Sequence, residues 1–268
     1  MYPVLFSIGK FELHSYGVLL TLSFIIGIYL GMRRAADRGV QPQFISDLAM
    51  VIVLCGLLGA RALYVVFHLD EFKGRWLDTI NPIQSTGEIG IAGLTLLGGF
   101  LLAVAGSAVF CRMKKVQFYR VADILSPSLA LGIALSRIGC YLNGCCFGTP
   151  SEIWCAVTYP AGRTASFMFG GQPVHPSQIY ESLGALLMFG GLYVIERRKP
   201  PIGQVFGWFL VMYAILRFLG DMTRYYETVM QVDFGIFVLS VNQLICLGLA
   251  VAGIYIIKLR QRTENYQR

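Results

Sequence analysis

The order of apolar and polar residues along the chain predicts a series of long helices. Apolar stretches of roughly 20 residues, the length that an α-helix needs to cross the hydrocarbon core of a bilayer, recur from one end to the other. Short polar segments rich in Arg, Lys, Gly and Pro separate them. The predicted spans lie at residues 16–32, 44–67, 89–110, 121–141, 179–194, 203–219 and 234–257. The pattern therefore predicts an all-α integral membrane protein with seven transmembrane helices.

The composition excludes an ordinary soluble globule. Hydrophobic residues make up 56% of the 268 residues, charged residues only 14%, and the mean hydropathy is +0.62. Such a chain has too few polar side chains to cover the surface of a soluble domain. Basic loops at a membrane surface account for the net charge of +7, so we expect no nucleic acid partner.

The distribution of basic residues predicts how the spans are oriented. Loops on the cytoplasmic side of a membrane carry an excess of Lys and Arg. One set of alternating loops, with the C-terminal tail, holds Arg33, Arg34, Arg38, Arg112, Lys114, Lys115, Arg120, Arg197, Arg198, Lys199, Lys258, Arg260, Arg262 and Arg268. The opposite side holds only Lys10, Lys73, Arg75, Arg163 and Arg224. We therefore expect the N-terminus outside and the C-terminus in the cytoplasm.

The segments between the spans favour a single polytopic membrane domain over residues 1–268. No basic region precedes the first apolar stretch and no small-residue cleavage site follows it, so we expect no cleavable signal peptide. The longest loops, near 68–88 and 142–178, fall on the predicted outer face. The second is rich in Gly, Pro and aromatic residues, which favours an ordered loop lying on the membrane.

Three arginines, Arg61, Arg137 and Arg217, fall inside or at the outer ends of predicted spans. A charge at the centre of a membrane helix costs about 2.5–3.5 kcal/mol on insertion scales. Extension of the side chain to the interface is the plain alternative, and it stays open for Arg61 above all. The three spans run in the same direction, so their guanidinium groups would repel one another without an anion between them. Because the guanidinium fork matches phosphate, we predict an outer-leaflet phospholipid site.

Six motifs occur in order along the chain and carry a resemblance to a known family. They are HSYG at 14–17, GARALYVVFH at 59–68, GLTLLGGFL at 93–101, SRIGCYLNGCCFG at 136–148, HPSQIYE at 175–181 and RFLGDMTR at 217–224. Together they resemble the prolipoprotein diacylglyceryl transferases, bacterial membrane enzymes that move diacylglyceryl from phosphatidylglycerol to a lipoprotein signal-peptide cysteine. The likeness covers nearly the whole chain.

The resemblance implies an activity and a set of site residues. The chain is expected to transfer diacylglyceryl from phosphatidylglycerol to the thiol of a signal-peptide cysteine and to release glycerol phosphate. Its implied partners are that lipid, the prolipoprotein signal peptide and the bilayer, and we expect a monomer. The implied location is the bacterial inner membrane, with the active site toward the outer leaflet. The residues assigned to lipid binding are Tyr16, Arg61, Gly98, Gly99, Asn143, Gly148, Asp221 and Arg224.

Three positions depart from the family pattern. Leu97 stands where many members have His or Tyr, just before a Gly pair. Cys140 and Cys145 stand where the signature Gly-Arg-hydrophobic-Gly-Asn-aromatic-hydrophobic-Asn-Gly-Glu-x-x-Gly has its first Asn and its Glu. These three residues inherit no role from the resemblance.

The chemistry of the transfer suggests catalytic residues. A thiolate must attack the glyceryl carbon that bears the phosphate ester, and the leaving phosphate gains negative charge. Arg137 and Arg217 suit the stabilisation of that charge. The general base stays open among Glu181, Asp221 and the outer histidines, and we assign His175. Helix capping by His175 and pairing of Asp221 with Arg217 are the structural alternatives. We expect no metal and no organic cofactor.

Four of the seven cysteines, Cys140, Cys145, Cys146 and Cys155, cluster on the predicted outer side. Disulfides persist in oxidising compartments, so a disulfide among the four is favoured; free thiols, a metal site and a redox pair stay open. The spacing CxxxxCC with only distant histidines is poor for zinc. We expect these cysteines to rigidify the loop that carries Asn143, so that serine substitutions lower stability more than turnover.

Two other classes of function stay open at this level. The three departures from the pattern suggest a family member with a different acceptor. The cysteine cluster suggests a non-enzymatic lipid-binding protein or a thiol-redox membrane protein. A transporter would be expected to show two similar halves, and the sequence has no such symmetry.

Overall fold

The computed structural model describes residues 3–8, 11–72, 95–162, 164–225, 231–233 and 238–267. The described residues fold mainly into helices, with two short antiparallel hairpins, β1–β2 and β3–β4. The elements in chain order are β1 (Val4–Ile8), β2 (Phe11–His14), α1 (Ser15–Asp37), α2 (Pro42–Phe67), α3 (Leu69–Phe72), α4 (Leu96–Met113), α5 (Phe118–Asn143), α6 (Thr164–Phe169), α7 (Ser177–Arg197), α8 (Gln204–Thr223), β3 (Gln231–Asp233), β4 (Val238–Ser240) and α9 (Val241–Gln267).

Six of the described helices, α1, α2, α5, α7, α8 and α9, are long and apolar enough to cross a bilayer. Helix α4 contributes a shorter apolar segment, Leu97–Met113. Large apolar side chains such as Leu58, Phe100 and Leu187 are exposed on these helices. Exposed apolar surface of this kind fits contact with lipid. The prediction of a helical integral membrane protein is confirmed.

Two predicted spans differ from the observed helices at their starts. The predicted third span began at residue 89, and its first residues fall in 73–94, which lie outside the described residues. Within the described residues, the matching helix α4 begins at Leu96. The predicted seventh span began at residue 234, which is wrong because Val238–Ser240 forms β4 and α9 begins only at Val241. The strand is as apolar as the helix that follows it, so hydropathy did not separate the two.

The described structure divides into two compact units. The first unit comprises Met1–Gly31 together with Ala122–Arg268, and the second comprises Met32–Val121. The expectation of one domain over the whole chain stays a prediction.

In the second unit, α2 and α4 pack closely because glycines face each other. A Cβ on Gly59 would collide with the Gly98 carbonyl, and a Cβ on Gly98 would collide with the Gly59 carbonyl. Thr95, just before α4, donates to the Ala60 carbonyl from its backbone N–H at 3.1 Å and from its hydroxyl at 3.0 Å. Small residues let membrane helices approach to backbone contact, which gives the GLTLLGGFL stretch a packing role.

In the first unit, a buried aspartate fixes the start of α8 against α5. Asp123 is fully buried and accepts backbone hydrogen bonds from Gly203 at 2.6 Å and from Phe206 at 2.8 Å. Gly203 has a φ of +98°, a conformation that favours glycine. A negative charge at a helix N-terminus is stabilised by the unpaired N–H groups there. This contact fixes the position of α8, which carries Arg217, relative to α5, which carries Arg137.

A core of apolar residues joins α5, α7 and α8 below the polar ends of these helices. Its buried members are Ala130, Ala134, Ala185, Met188, Leu192, Val205 and Phe209. Ser182 on α7 also donates a hydrogen bond of 2.9 Å to the Ala134 carbonyl on α5. The packing sets the relative positions of the three helix ends that carry the site.

Candidate active site

Three arginine side chains converge on one carboxylate in the first unit. Arg137 Nε lies 2.6 Å from Glu181 Oε2, and Arg217 Nη1 lies 2.7 Å from Glu181 Oε1. Arg224 Nη1 approaches the same Oε1 at 3.5 Å. The Glu181 side chain is 4% exposed, and the three arginine side chains are 20%, 12% and 13% exposed. We call these four residues the arginine cluster; it is a largely buried ionic site where α5, α7 and α8 meet.

A second carboxylate borders the arginine cluster. Asp221 Oδ1 lies 3.2 Å from Arg217 Nη2, one helical turn away, and Asp221 Oδ2 accepts a 2.7 Å hydrogen bond from the Ser240 hydroxyl. The alternative that Asp221 pairs with Arg217 is therefore confirmed, while its assignment to lipid binding stays a prediction. Together the three arginines and two carboxylates carry one net positive charge.

The arginine cluster forms because the chain alternates direction. Arg137 and Arg217 lie near the C-terminal ends of α5 and α8, and Glu181 lies in the second turn of α7. The C-terminal ends of α5 and α8 and the N-terminal end of α7 meet on one side of the first unit. In the sequence, Glu181 is only one candidate base among several, and its contacts with all three arginines come from the fold.

The segment after α5, residues 144–150, lies directly beside the arginine cluster, and we call it the signature loop. Gly148 forms an antiparallel bridge with Arg224, and its N–H donates to the His175 carbonyl at 3.0 Å. The His175 N–H in turn donates to the Thr149 carbonyl at 3.0 Å. A Cβ on Gly148 would collide with the Thr223 carbonyl and fall 2.5 Å from His175 Cβ. The structure thus brings Gly148, His175 and Arg224 together and explains the need for glycine.

The imidazole of His175 lies beside an aromatic hydroxyl. His175 Nδ1 is 3.5 Å from Tyr180 Oη, and the same hydroxyl lies 3.2 Å from Cys155 Sγ. Cys155 therefore contacts the residues at the start of α7. The assignment of His175 as general base stays a prediction.

Two more predicted lipid-binding residues lie along the signature segment. A Cβ on Gly139 would fall 3.3 Å from Tyr16 Cδ2, so α1 passes α5 in close contact at Tyr16. Asn143 is the last residue of α5 and directly precedes the turn at Gly144. Both residues belong to the first unit, and their lipid contacts stay predictions.

Three cysteines of the signature segment form a thiol cluster. The sulfur atoms of Cys140, Cys145 and Cys146 all lie within 4.8 Å of one another. All seven cysteines are free thiols in the structure, with Cys140 buried and the other two half-buried. Hydrogen bonds with Cys140 and Cys145 lower the pKa of the Cys146 thiol, and the positive charges of Arg224 and Arg137 lower it further, against the effect of burial. The favoured prediction of a disulfide among the four clustered cysteines is therefore wrong, and free thiols, one of the open alternatives, are observed.

A glutamine that the sequence analysis did not single out holds the loop in place. Gln178 Nε2 donates to the Cys145 carbonyl at 2.7 Å and to Tyr159 Oη at 2.8 Å. Burial raises the pKa of the Tyr159 hydroxyl to about 12, so Tyr159 stays neutral in the interior of the loop. The only sequence signal was its position within the HPSQIYE motif.

The rest of the loop between α5 and α7 packs around aromatic residues. Phe147, Tyr159, Ala165 and Val174 form a small buried core. Trp154 is 97% exposed, so this loop also presents a large apolar side chain at its surface. Trp side chains favour the interface between lipid and water.

The other assigned residues belong to the second unit. The Arg61 guanidinium lies over the rings of Phe72, at 5.1 Å, and Tyr64, at 5.8 Å, and the residue is 8% exposed. Gly98 and Gly99 face α2, where a Cβ on Gly99 would fall 2.9 Å from the Gly56 carbonyl. These contacts give Gly98 and Gly99 a packing role, and their part in lipid binding stays a prediction.

Comparison with known proteins identifies the family. A sequence model described as prolipoprotein diacylglyceryl transferase matches residues 3–259. Several proteins named phosphatidylglycerol–prolipoprotein diacylglyceryl transferase are similar along almost their whole length. The one from Symbiobacterium thermophilum is 33% identical over 98% of this chain and 95% of its own, and the one from Nitratidesulfovibrio vulgaris is 31% identical over 97% and 94%. The chain belongs to the prolipoprotein diacylglyceryl transferase family.

Proposed function

We propose that the chain transfers diacylglyceryl from phosphatidylglycerol to the thiol of a lipoprotein signal-peptide cysteine and releases glycerol phosphate. The observation that carries the proposal is the arginine cluster, in which Arg137, Arg217 and Arg224 surround Glu181 in a buried setting. With Asp221, the cluster carries one net positive charge, and the phosphate of phosphatidylglycerol carries one negative charge. The relatives' names supply the two substrates.

The cluster suits the leaving group of this reaction. As the acceptor sulfur bonds to the glyceryl carbon, the carbon–oxygen bond to phosphate breaks and charge builds on the phosphate. Guanidinium groups that already stand at fixed positions stabilise such charge without reorganising, and each donor of this kind contributes about 10²–10³ in rate. Glu181 is a positioning residue in this proposal, because its carboxylate orients Arg137 and Arg217 toward a shared point.

The acceptor needs to lose its proton before it attacks, since the thiolate is the nucleophile. His175 is our proposed base because its backbone pairs with the signature loop next to Gly148 and Arg224. Tyr16 on α1 and Asn143 at the end of α5 are proposed to contact the lipid.

We further propose seven membrane spans, with α4 as the shortest, in a monomer of the bacterial inner membrane. The arginine cluster lies at the end of α7 opposite its basic end at Arg197 and Arg198. Because basic residues mark the cytoplasmic side, the proposed active site faces the outer leaflet. A reporter fused after residue 268 tests this, since we expect it to be accessible only from the cytoplasm.

Complementation tests the proposed activity. Expression of the chain in cells depleted of their own transferase should restore growth and lipoprotein modification. Purified protein should release glycerol phosphate from phosphatidylglycerol only when a cysteine-containing signal peptide is present. Arg198→Lys, at the exposed opposite end, is the matched control for changes in the cluster. Release of glycerol phosphate without modified peptide would refute the proposed acceptor, and no release from folded protein would refute the activity.

A further inference from the structure

We propose that Cys140, Cys145 and Cys146 together bind one thiophilic d10 metal ion, of the Zn²⁺ or Cu(I) class, with a fourth position left open for the acceptor thiol. The second part of this proposal rests on the proposed function. Soft thiolate ligands select such ions.

The fold brings the three cysteines together although their CxxxxCC spacing along the chain is poor for zinc. Helix α5 ends in a turn at Gly144, which has a φ of +80° and donates its N–H to the Cys140 carbonyl at 3.0 Å. A left-handed glycine of this kind ends a helix and reverses the chain. The reversal returns Cys145 and Cys146 to the last turn of the helix, where Cys140 lies. Residues that are poorly spaced along the chain thus become neighbours in space.

The distances fit a metal ion. In tetrahedral zinc sites, Zn–S bonds of about 2.3 Å place the sulfurs about 3.8 Å apart. The three sulfurs here already lie within 4.8 Å of one another. Binding therefore needs the sulfurs to close by about 1 Å at most, which side-chain rotation provides.

The number of ligands indicates an open site. Among the described residues, the three cysteines are the His, Cys, Asp or Glu side chains that meet at this point. Structural zinc sites have four protein ligands, whereas catalytic ones have three and leave one position for water or substrate. An open position beside three thiolates is suited to one more sulfur ligand.

The thiol cluster lies close to Arg137, so a thiol bound at the open position would be near the arginine cluster. Cys140 lies one helical turn after Arg137, and residues three apart on a helix share a face. A thiol that coordinates a metal is deprotonated outright. On coordination the acceptor S–H gives its proton to the proposed base, His175, and its sulfur then attacks the glyceryl carbon. The C–S bond forms, the C–O bond breaks, and the electron pair leaves with glycerol phosphate toward the arginines.

Cobalt titration tests the site without any lipid. Purified, reduced full-length protein in detergent should bind one Co²⁺ with thiolate-to-cobalt charge-transfer bands and strong visible bands typical of tetrahedral coordination. Zn²⁺ or Cu(I) should displace it, and Mg²⁺ should not. Each of Cys140→Ser, Cys145→Ser and Cys146→Ser should weaken binding at least tenfold, while Cys155→Ser, a free thiol of the same loop, should bind as wild type.

The wild-type spectra keep the test decisive even if a serine variant fails to fold. Absence of the charge-transfer bands in folded wild-type protein would overturn the site. So would a disulfide between any two of the three cysteines in cells alkylated before lysis.

A peptide titration tests the open position. A signal peptide with its cysteine should shift the visible bands of the cobalt protein, and the same peptide with serine should leave them unchanged. Equal spectra with both peptides would overturn the open position. Full transfer by metal-free protein would overturn the activation step while the proposed function stands. Metal and peptide binding without any transfer would instead refute the proposed function and leave the metal site in place.

Discussion

Arginines of two regions stand at the ends of membrane helices, yet they are accommodated by different chemistry. In the second unit, Arg61 lies over the rings of Phe72 and Tyr64, close to a helix pair that packs through glycines. In the first unit, Arg137 and Arg217 hold a buried carboxylate. A cation over aromatic rings is attracted by their negative faces, whereas an arginine in a buried ionic cluster depends on its counter-charge.

The two regions also differ in the anion that lies next to their arginines. We predicted that Arg61, Arg137 and Arg217 would share an anion, with a phospholipid as that anion. In the first unit the arginines that share one are Arg137, Arg217 and Arg224, and the anion is the chain's own Glu181. Glu181 is thus one anion that these arginines share, and the phospholipid site stays a prediction.

Removal of the central charge should have the largest effect. Glu181→Gln leaves Arg137 and Arg217 in a buried setting without their shared counter-charge, and breaking a buried pair costs about 3–5 kcal/mol. We expect a large loss of thermal stability in detergent together with loss of transfer. Glu152→Gln, at an exposed position of the loop between α5 and α7, should change neither. A stable and active Glu181→Gln protein would show that the cluster is not held by charge.

Exchange of arginine for lysine should separate the two regions. Arg137→Lys keeps the charge but loses the guanidinium fork, so the rate of glycerol phosphate release should fall by about 10²–10³ while the protein still inserts. Arg61→Lys keeps a cation over the rings, worth about 0.5–2 kcal/mol, so it should cost less than about tenfold. Equal losses in both variants would contradict the comparison, and near-full activity of Arg137→Lys would make that arginine an interface anchor.

Glycine substitutions should expose the packing of the second unit. Gly98→Ala brings a Cβ into the Gly59 carbonyl, and overpacking of this kind costs about 1–3 kcal/mol. Gly56→Ala, on the same helix pair, places its Cβ 3.9 Å from the Gly99 carbonyl, an ordinary contact, and should be tolerated. Thermal unfolding of both variants measures the difference. Lower transfer by Gly98→Ala at unchanged stability would favour lipid binding over packing.

Loss of one neutral hydrogen bond in the first unit should have the smallest effect. Ser182→Ala removes the 2.9 Å bond to the Ala134 carbonyl, and such bonds between membrane helices contribute about 0.6 kcal/mol on average. We expect a small shift in the unfolding temperature and unchanged transfer per folded molecule. A loss as large as that of Glu181→Gln would mean that helix positioning, and not charge, controls the site.

The sequence by itself determined the class of protein and most helix boundaries. Apolar runs of bilayer length predict helices whatever packs against them, since a backbone in lipid has to satisfy its own hydrogen bonds. Local signals also gave the starts and ends. The predicted span 44–67, taken from its apolar run, lies within α2, whose first turn also contains Pro42, a residue suited to that position. The motifs also predicted Arg137, Gly148 and Arg217 as site residues, because each lies in a recognisable local sequence pattern.

Only the tertiary structure decided which groups meet. Glu181 lies 36 residues from Arg217 along the chain, and nothing local connects them; the packing of α7 against α8 brings them to 2.7 Å. The thiol cluster depends on a chain reversal at Gly144, and the capping of α8 depends on Asp123, 80 residues before its partner Gly203. Hydropathy records how each segment partitions into lipid, whereas the pairing of charges and thiols depends on how separate segments pack, and that information is spread over the whole chain.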